Sequence, residues 1–160
     1  GPAVIVANHK SGLDPFLLFA ITRRPINFLI AREQYERFGL TWLFRATGCI
    51  PVNRSHHPEI ALRAALRALA AGKVIAIFPQ GKIVLPGEPH KPLKRGGLWL
   101  AQQTNSLIYP VHISGIRGIG HIFRGIVWRS RATVVSYPPI YWSKESSVEE
   151  LQHLIEGIKP

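Results

Sequence analysis

Two kinds of segment alternate along the chain, and they differ in the spacing of their apolar and polar positions. Short runs rich in Val, Ile and aromatic residues are typical of strands, and they cover residues 4–6, 26–30, 49–52, 73–78, 107–113 and 131–137. Segments with apolar positions three or four apart are typical of helices, and they cover residues 16–21, 33–38, 58–71, 96–104 and 148–158. This alternation predicts an α/β fold, a mixed and mostly parallel sheet flanked by helices on both faces.

The clearest helix in this pattern covers residues 58–71, and Gly72 stands just past its end, where glycine is common. Its apolar stripe consists of Leu62, Leu66 and Leu69, which recur at helical spacing. These three leucines therefore form one apolar face of the predicted helix.

The chain has 160 residues and no internal shift in composition, so we expect a single domain over residues 1–160. Hydrophobic residues make up 46% and charged residues 18%, which is a globular composition and excludes a disordered chain. The one cysteine, Cys49, excludes a disulfide framework and a cysteine-based zinc site within the chain. Because the chain opens directly on a strand and contains no Met, we expect natural residues, such as a membrane anchor, to precede Gly1.

The charge balance is strongly basic, with 20 Lys and Arg against 9 Asp and Glu and a formal net charge of +11. This charge favours anionic partners, which are nucleic acid, an anionic lipid surface or a phosphorylated substrate. No apolar run approaches the ~20 residues that a membrane-spanning helix needs. The sequence leaves open whether certain apolar residues enter a lipid interface or pack in the core, namely Trp42, Leu43, Phe44, Trp99 and Leu100.

The first predicted strand runs into a short bend that carries His9 and Asp14. The serine and the glycine between them favour a tight turn, which would let the two side chains meet. Pro15 fits the first helical position and makes Asp14 the expected N-cap. One carboxylate oxygen of Asp14 would then cap the helix, and the other would accept a hydrogen bond from the imidazole.

An imidazole that is oriented by a carboxylate can act as a general base, because its free nitrogen can take the proton of an alcohol. Ser11 is the one nucleophile of the bend and lies between base and carboxylate, so the pattern favours a nucleophile that belongs to the substrate. The alternative is an ordinary surface turn with a solvated His9, because His and Asp often occur five apart by chance.

Other predicted strands also carry candidate binding residues near their ends. Arg54 follows the third strand, and its guanidinium could hold a phosphate or a carboxylate. The turn at residues 79–82 has backbone N–H groups and a lysine that could face an anion. Pro110 lies inside a strand, where its missing N–H marks a bulge or an edge. The alternative is a set of solvated side chains, which also applies to the basic loop of Lys91, Lys94 and Arg95.

Four blocks of sequence together point to one protein family. They are His9 to Asp14, Gly-Cys-Ile-Pro-Val-Asn-Arg at 48–54, Phe-Pro-Gln-Gly at 78–81 and Tyr-Pro-Val-His-Ile at 109–113. Each block alone is weak, but in this order and spacing they resemble the four blocks of the glycerolipid acyltransferases. The most similar branch is the 1-acylglycerol-3-phosphate acyltransferases, also called lysophosphatidic acid acyltransferases. The resemblance runs from residue 4 to about residue 116.

The resemblance implies an enzyme that moves a fatty acyl group from coenzyme A or acyl carrier protein onto a hydroxyl of a lysophospholipid. His9 would be the general base and Asp14 its orienter, with no metal and no bound cofactor, since the acyl thioester is a co-substrate. The acceptor and its phosphate would be bound by Arg54, Phe78, Pro79, Gln80, Gly81 and Lys82, and Pro110 would form a wall near the acyl chain. The resemblance also implies an anionic membrane surface as partner and a peripheral location on its cytoplasmic face.

The third block departs from the family pattern, which usually reads Phe-Pro-Glu-Gly-Thr-Arg. Gln80 keeps the size of a glutamate without its charge, so it cannot bind a cation or act as an acid. Ile83 takes the place of an arginine, while Lys82 adds a positive charge one residue earlier. The acceptor can therefore differ from lysophosphatidic acid, whereas the base and its orienter are intact.

Two other functions stay open at this point. A catalytically silent relative that binds lipid or acyl carrier protein is compatible with Gln80. A nucleic-acid-binding domain is compatible with the net charge, but the aromatic residues are not interleaved with Lys and Arg and no RNA-binding signature occurs. We therefore expect no nucleic-acid partner. His56 and His57 have no third ligand within sequence reach, which favours a solvated helix entry over a metal site.

Overall fold

The computed structural model describes residues 1–36, 41–53, 55–85, 87–89, 92–116, 131–143 and 146–157. The strands are β1 (Ala3–Ala7), β2 (Ile26–Ala31), β3 (Ile50–Val52), β4 (Val74–Ile77), β5 (Leu107–Ser114), β6 (Thr133–Ser136) and β7 (Ile140–Tyr141). The helices are α1 (Asp14–Ala20), α2 (Arg32–Tyr35), α3 (Thr41–Ala46), α4 (Pro58–Ala70), α5 (Gly96–Gln103) and α6 (Val148–Glu156). The ends of two predicted helices, at residues 37–38 and 158, lie outside the described residues.

The strands form one sheet in the order β3-β2-β4-β1-β5-β6, and β7 pairs with β5 beside β6. The ladders from β3 to β5 are parallel, and β6 and β7 run antiparallel to β5. The predicted mixed, mostly parallel sheet is therefore confirmed. Because the parallel strands share one direction, the segments that follow β1, β3 and β4 leave the sheet at the same edge.

Both faces of the sheet are covered, as predicted, because β1 is buried along its whole length. Val4 and Val6 point to the face covered by α4, α5 and α6, whose leucines complete that half of the core. Ala3, Ile5 and Ala7 point to the opposite face, where Leu18 of α1 packs. A strand that is buried on both faces reads as a continuous apolar run rather than an alternating one, which explains the sequence of β1.

The helix α4 packs on the core through two alanines as well as through leucines. Its buried positions are Ala61, Ala65 and Leu69, whereas Leu62 and Leu66 are only partly buried beside them. The two alanines lie on the side that meets the sheet, and the two larger leucines fill the space at its flank. All three leucines of the predicted stripe pack on the core, and the two alanines extend the contact.

Pro110 lies in the middle of β5, and β5 is not an edge strand of the sheet. On one side its register partner is Val6 of β1. On the other side β7 pairs only with residues 107–108 of β5 and β6 only with residues 111–114. The Tyr137 N–H donates to the Pro110 carbonyl in this gap, at 2.9 Å. The position of Pro110 is therefore next to the end of the β5–β6 ladder, where its missing N–H removes no bond of the paired residues 111–114.

Candidate active site

The bend after β1 brings His9 and Asp14 together, as the sequence predicts. The His9 Nδ1–H donates to Asp14 Oδ2 at 2.9 Å. Asp14 is fully buried, and the His9 side chain is 19% exposed. Because the carboxylate can only accept, the neutral imidazole carries its proton on Nδ1 and leaves a lone pair on Nε2. The ring therefore has the tautomer that a general base needs.

Asp14 does not cap the helix, although the sequence predicts that it does. The helix α1 begins at Asp14 itself, its N-cap is Leu13, and no side chain caps it. Asp14 Oδ2 instead accepts from the backbone N–H groups of Lys10 and Ser11, at 2.7 and 2.8 Å. The bend thus wraps around the carboxylate. The same oxygen that accepts from the imidazole also accepts from these two backbone N–H groups. Asp14 Oδ1 is buried and has no hydrogen-bond partner among the described residues.

The loop after β4 supports His9 from the other side. The Phe78 ring stacks on the imidazole, with ring centroids 4.3 Å apart and an interplanar angle of 19°. Gln80 is buried, and its Oε1 accepts from the backbone N–H of His9 at 2.8 Å. The Val84 N–H donates to the His9 carbonyl at 2.9 Å. Both backbone polar groups of His9 are therefore bound to one loop, so this loop sets where the imidazole lies.

The turn at residues 79–82 also meets a lysine from farther along the chain. Gly81 has a φ of +74°, and its N–H donates to the Phe78 carbonyl at 2.9 Å. The Lys94 N–H donates to the Pro79 carbonyl at 2.9 Å, and the Lys94 side chain lies over Gly81. The Lys82 ammonium is bound to Glu88 at 3.2 Å. Lys94 therefore lies over this turn in addition to the predicted Lys82, which belongs to the turn itself.

A buried amide holds the bend against the sheet. Asn8 is fully buried; its Nδ2 donates to the Ile113 carbonyl at 2.8 Å, and its Oδ1 accepts from the Ile113 N–H at 2.7 Å. This paired contact extends the β1–β5 ladder one residue past the end of β1. It fixes the residue immediately before His9.

The structure assembles part of the predicted site. The sheet edge carries His9, Asp14, Phe78, Pro79, Gln80 and Gly81 within one set of contacts. Arg54 lies outside the described residues, and Pro110 lies buried beside Val6 in the sheet.

Sequence reasoning missed the hydrogen bond from His9 to Gln80 and the position of Lys94 over Gly81. Glycine readily adopts a positive φ, so the conformation of Gly81 agrees with its residue type. No feature of the sequence indicated that the Lys94 side chain would lie over Gly81.

The described residues contain no group of three or more His, Cys, Asp or Glu side chains placed to hold a metal ion. None of the helices in the described ranges is long and apolar enough to span a bilayer.

Comparison with known proteins gives consistent matches. A sequence model of the family described as Acyltransferase matches residues 1–114. A probable 1-acyl-sn-glycerol-3-phosphate acyltransferase of Mycoplasma genitalium is 31% identical over 124 residues, which cover 73% of this chain and 46% of that protein. A chloroplastic 1-acyl-sn-glycerol-3-phosphate acyltransferase of Arabidopsis thaliana is 25% identical over 149 residues, which cover 89% of this chain and 40% of that protein. The chain thus spans less than half the length of these relatives.

The fold also matches a solved structure. The crystal structure of the 1-acyl-sn-glycerophosphate acyltransferase PlsC from Thermotoga maritima superposes with a TM-score of 0.72 at 24% sequence identity. The match covers 98% of this chain and 63% of that one. It establishes the α/β fold independently of the sequence pattern.

Proposed function

Because the chain belongs to the Acyltransferase family, we propose that it transfers a fatty acyl group from an acyl thioester to a hydroxyl of a lysophospholipid. The thioester is that of coenzyme A or of acyl carrier protein. The observation that supports this proposal most is the contact of His9 Nδ1 with the buried Asp14, which leaves Nε2 able to take a proton. The substrate hydroxyl supplies the nucleophile.

The proposed reaction is a direct acyl transfer. His9 Nε2 takes the proton of the acceptor hydroxyl while its oxygen attacks the thioester carbonyl and forms a C–O bond. Asp14 stabilises the imidazolium that forms and holds the ring in place. The tetrahedral intermediate then collapses, the C–S bond breaks, and the leaving thiolate takes the proton from His9. Charge and atoms balance without a covalent acyl-enzyme.

The acceptor side of the site follows from the family resemblance. Phe78, Pro79, Gln80 and Gly81 are proposed to shape the acceptor pocket, with Arg54 and Lys82 binding phosphate and Pro110 lining the acyl chain. Support for the first four comes from their position around His9. Gln80 offers an amide where the family pattern has a carboxylate. The proposed acceptor is therefore the broader class of lysophospholipids and related lipids, and not lysophosphatidic acid alone.

The proposed location is a peripheral one, on the cytoplasmic face of an anionic membrane. A net charge of +11 supports it, since each Lys or Arg close to an anionic surface contributes roughly 1 kcal/mol of binding. Trp42, on α3, is 69% exposed and is followed by the exposed Arg45. Trp99 is 42% exposed on α5, which covers the opposite face of the sheet, and Leu100 is in the core. Of the candidate apolar residues, Trp42 fits a lipid interface best.

The test is a donor-by-acceptor matrix with purified protein, in which release of free thiol and the lipid product are both measured. Thiol release that depends on an added lysolipid supports transfer. We expect His9→Ala to lower the transfer rate by about 10²–10⁴-fold, which is the usual contribution of a general base.

The matched control for this test is His153→Ala, because His153 is exposed on α6, away from the bend. It should leave the rate unchanged. Lipid binding without thiol release for any pair would instead support a catalytically silent relative. Retention of most transfer by His9→Ala would exclude the role proposed for the imidazole.

A further inference from the structure

The loop between β4 and α5 carries a lysine that the family resemblance does not assign. We propose that Lys94 binds a phosphate group of the substrate, beside the acceptor site. This inference rests on the proposed function, and it deepens it by naming a cation of the same site. Phosphate is the shared chemistry of two sources, the head group of a lysophospholipid and the phosphates of coenzyme A.

Two contacts fix Lys94 over the turn that follows β4. Its backbone N–H donates to the Pro79 carbonyl at 2.9 Å. A Cβ added to Gly81 would lie 2.8 Å from Lys94 Cε and 3.0 Å from Nζ, so the end of the side chain rests on this glycine. Gly81 is the position at which any other residue would displace the ammonium. The backbone of the lysine is therefore fixed by a hydrogen bond, and its side chain lies over the glycine, with the ammonium exposed.

This position places the ammonium on the loop that also contacts His9. Gly81 is bonded directly to Gln80, and Gln80 Oε1 accepts from the His9 N–H at 2.8 Å. Gly81, which lies under the ammonium, is thus linked to His9 through Gln80 and one hydrogen bond. A glycerol phosphate has its free hydroxyl and its phosphate only a few bonds apart, so one molecule can reach both.

The charge of Lys94 is also available to a ligand. No carboxylate of the described residues lies within ion-pair distance of its ammonium, whereas Lys82 is bound to Glu88. Lys94 is exposed, so a phosphate can approach it from solvent. An ammonium binds phosphate as a compact point charge with three donors, and this suits a ligand whose orientation is set by other groups.

The test compares Lys94→Gln and Lys94→Arg with wild type in steady-state transfer assays. A lost hydrogen bond to a charged group predicts a rise of about 10–100-fold in one KM for Lys94→Gln, with kcat at saturation within about threefold. Lys94→Arg should restore most of the affinity, because it keeps the charge. Lys73→Gln is the matched control, since Lys73 is exposed at the opposite edge of the sheet, where β4 begins.

The KM that changes identifies the source of the phosphate. A rise for the lysophospholipid alone assigns Lys94 to the acceptor head group, and a rise for acyl-CoA alone assigns it to the donor. If neither KM rises, or if Lys73→Gln has the same effect, the proposal is wrong.

A binding measurement separates this inference from the proposed function. Lysophosphatidic acid and a monoacylglycerol of the same chain are titrated below their aggregation limits into wild type and Lys94→Gln. We expect Lys94→Gln to weaken binding of the phosphate-bearing lipid by about 10–100-fold and to leave the phosphate-free lipid unaffected. This result would support the site even in a protein that transfers nothing. Equal binding of lysophosphatidic acid to both proteins would exclude the lipid head group as the source of the phosphate. Equal binding of coenzyme A to both proteins as well would overturn the proposal.

Discussion

At the scale of single residues, three separate contacts hold His9 in place. Nδ1 contacts Asp14, the ring stacks on Phe78, and the backbone N–H contacts Gln80. The three partners come from two loops that follow neighbouring parallel strands. Since the ring, its tautomer and its backbone are all fixed, little reorganisation remains to be done when a substrate hydroxyl arrives.

Gln80 allows a direct test of this support. Gln80→Leu keeps a similar volume but leaves the part-buried His9 N–H without an acceptor, so we expect the free energy of unfolding to fall by about 1–3 kcal/mol. The imidazole should also shift, and kcat should fall by about 10–10²-fold. Denaturant unfolding and steady-state kinetics measure the two effects.

The matched variant is Gln80→Glu, which keeps an oxygen that can accept from His9. We expect it to retain several-fold more kcat than Gln80→Leu. A leucine variant that is as active as the glutamate variant would show that the hydrogen bond does not position the base.

At the scale of elements, the packing of α5 on β4 depends on Gly97. A Cβ at this position would overlap Ile77 Cδ1, and Ile77 is buried among core side chains that leave it little room. We expect Gly97→Ala to lower the free energy of unfolding by about 1–3 kcal/mol, as overpacking does in other cores. Thermal or denaturant unfolding measures it.

The neighbouring glycine supplies the control. A Cβ on Gly96 would meet only Leu62 Cδ2, at an ordinary contact distance of 3.7 Å. Gly96→Ala should therefore change stability by less than about 1 kcal/mol, because alanine suits a helix at least as well as glycine. Equal losses in the two variants would mean that the contact with Ile77 is not the cause.

Local patterns were enough to predict most elements and the contact of His9 with Asp14, because these depend on residues near in sequence. The two-residue strand β7 was missed, since it is too short to show a period. The contact of Gln80 with His9 and that of Lys94 with Gly81 were also missed. The first joins two segments that the finished sheet places side by side, and the second depends on how one long loop folds back on itself. Residue type does not indicate such partners.

At the scale of the whole molecule, the basic charge and the exposed Trp42 predict binding to anionic vesicles. We expect Trp42→Ala to weaken binding by roughly tenfold, because a tryptophan that enters the interface buries a large apolar surface. Raising the salt concentration should weaken binding of both proteins, since surface charges are screened. Vesicle co-sedimentation measures both effects.

Tyr141→Ala is a suitable control for this measurement, because Tyr141 is 73% exposed on β7. It should bind vesicles as wild type does. Equal binding by all three proteins, with no effect of salt, would remove the case for an electrostatic membrane contact.

The central place of β1 has a consequence for synthesis on the ribosome. Ala3 pairs with Val74 on one side and with Leu107 on the other, so β1 emerges long before either neighbour has been translated. Until then, its unbroken apolar run has no partner strand and is prone to aggregation. A nascent chain released before β4 would carry His9 and Asp14 but not Phe78 or Gln80, so the contacts around the histidine could not form.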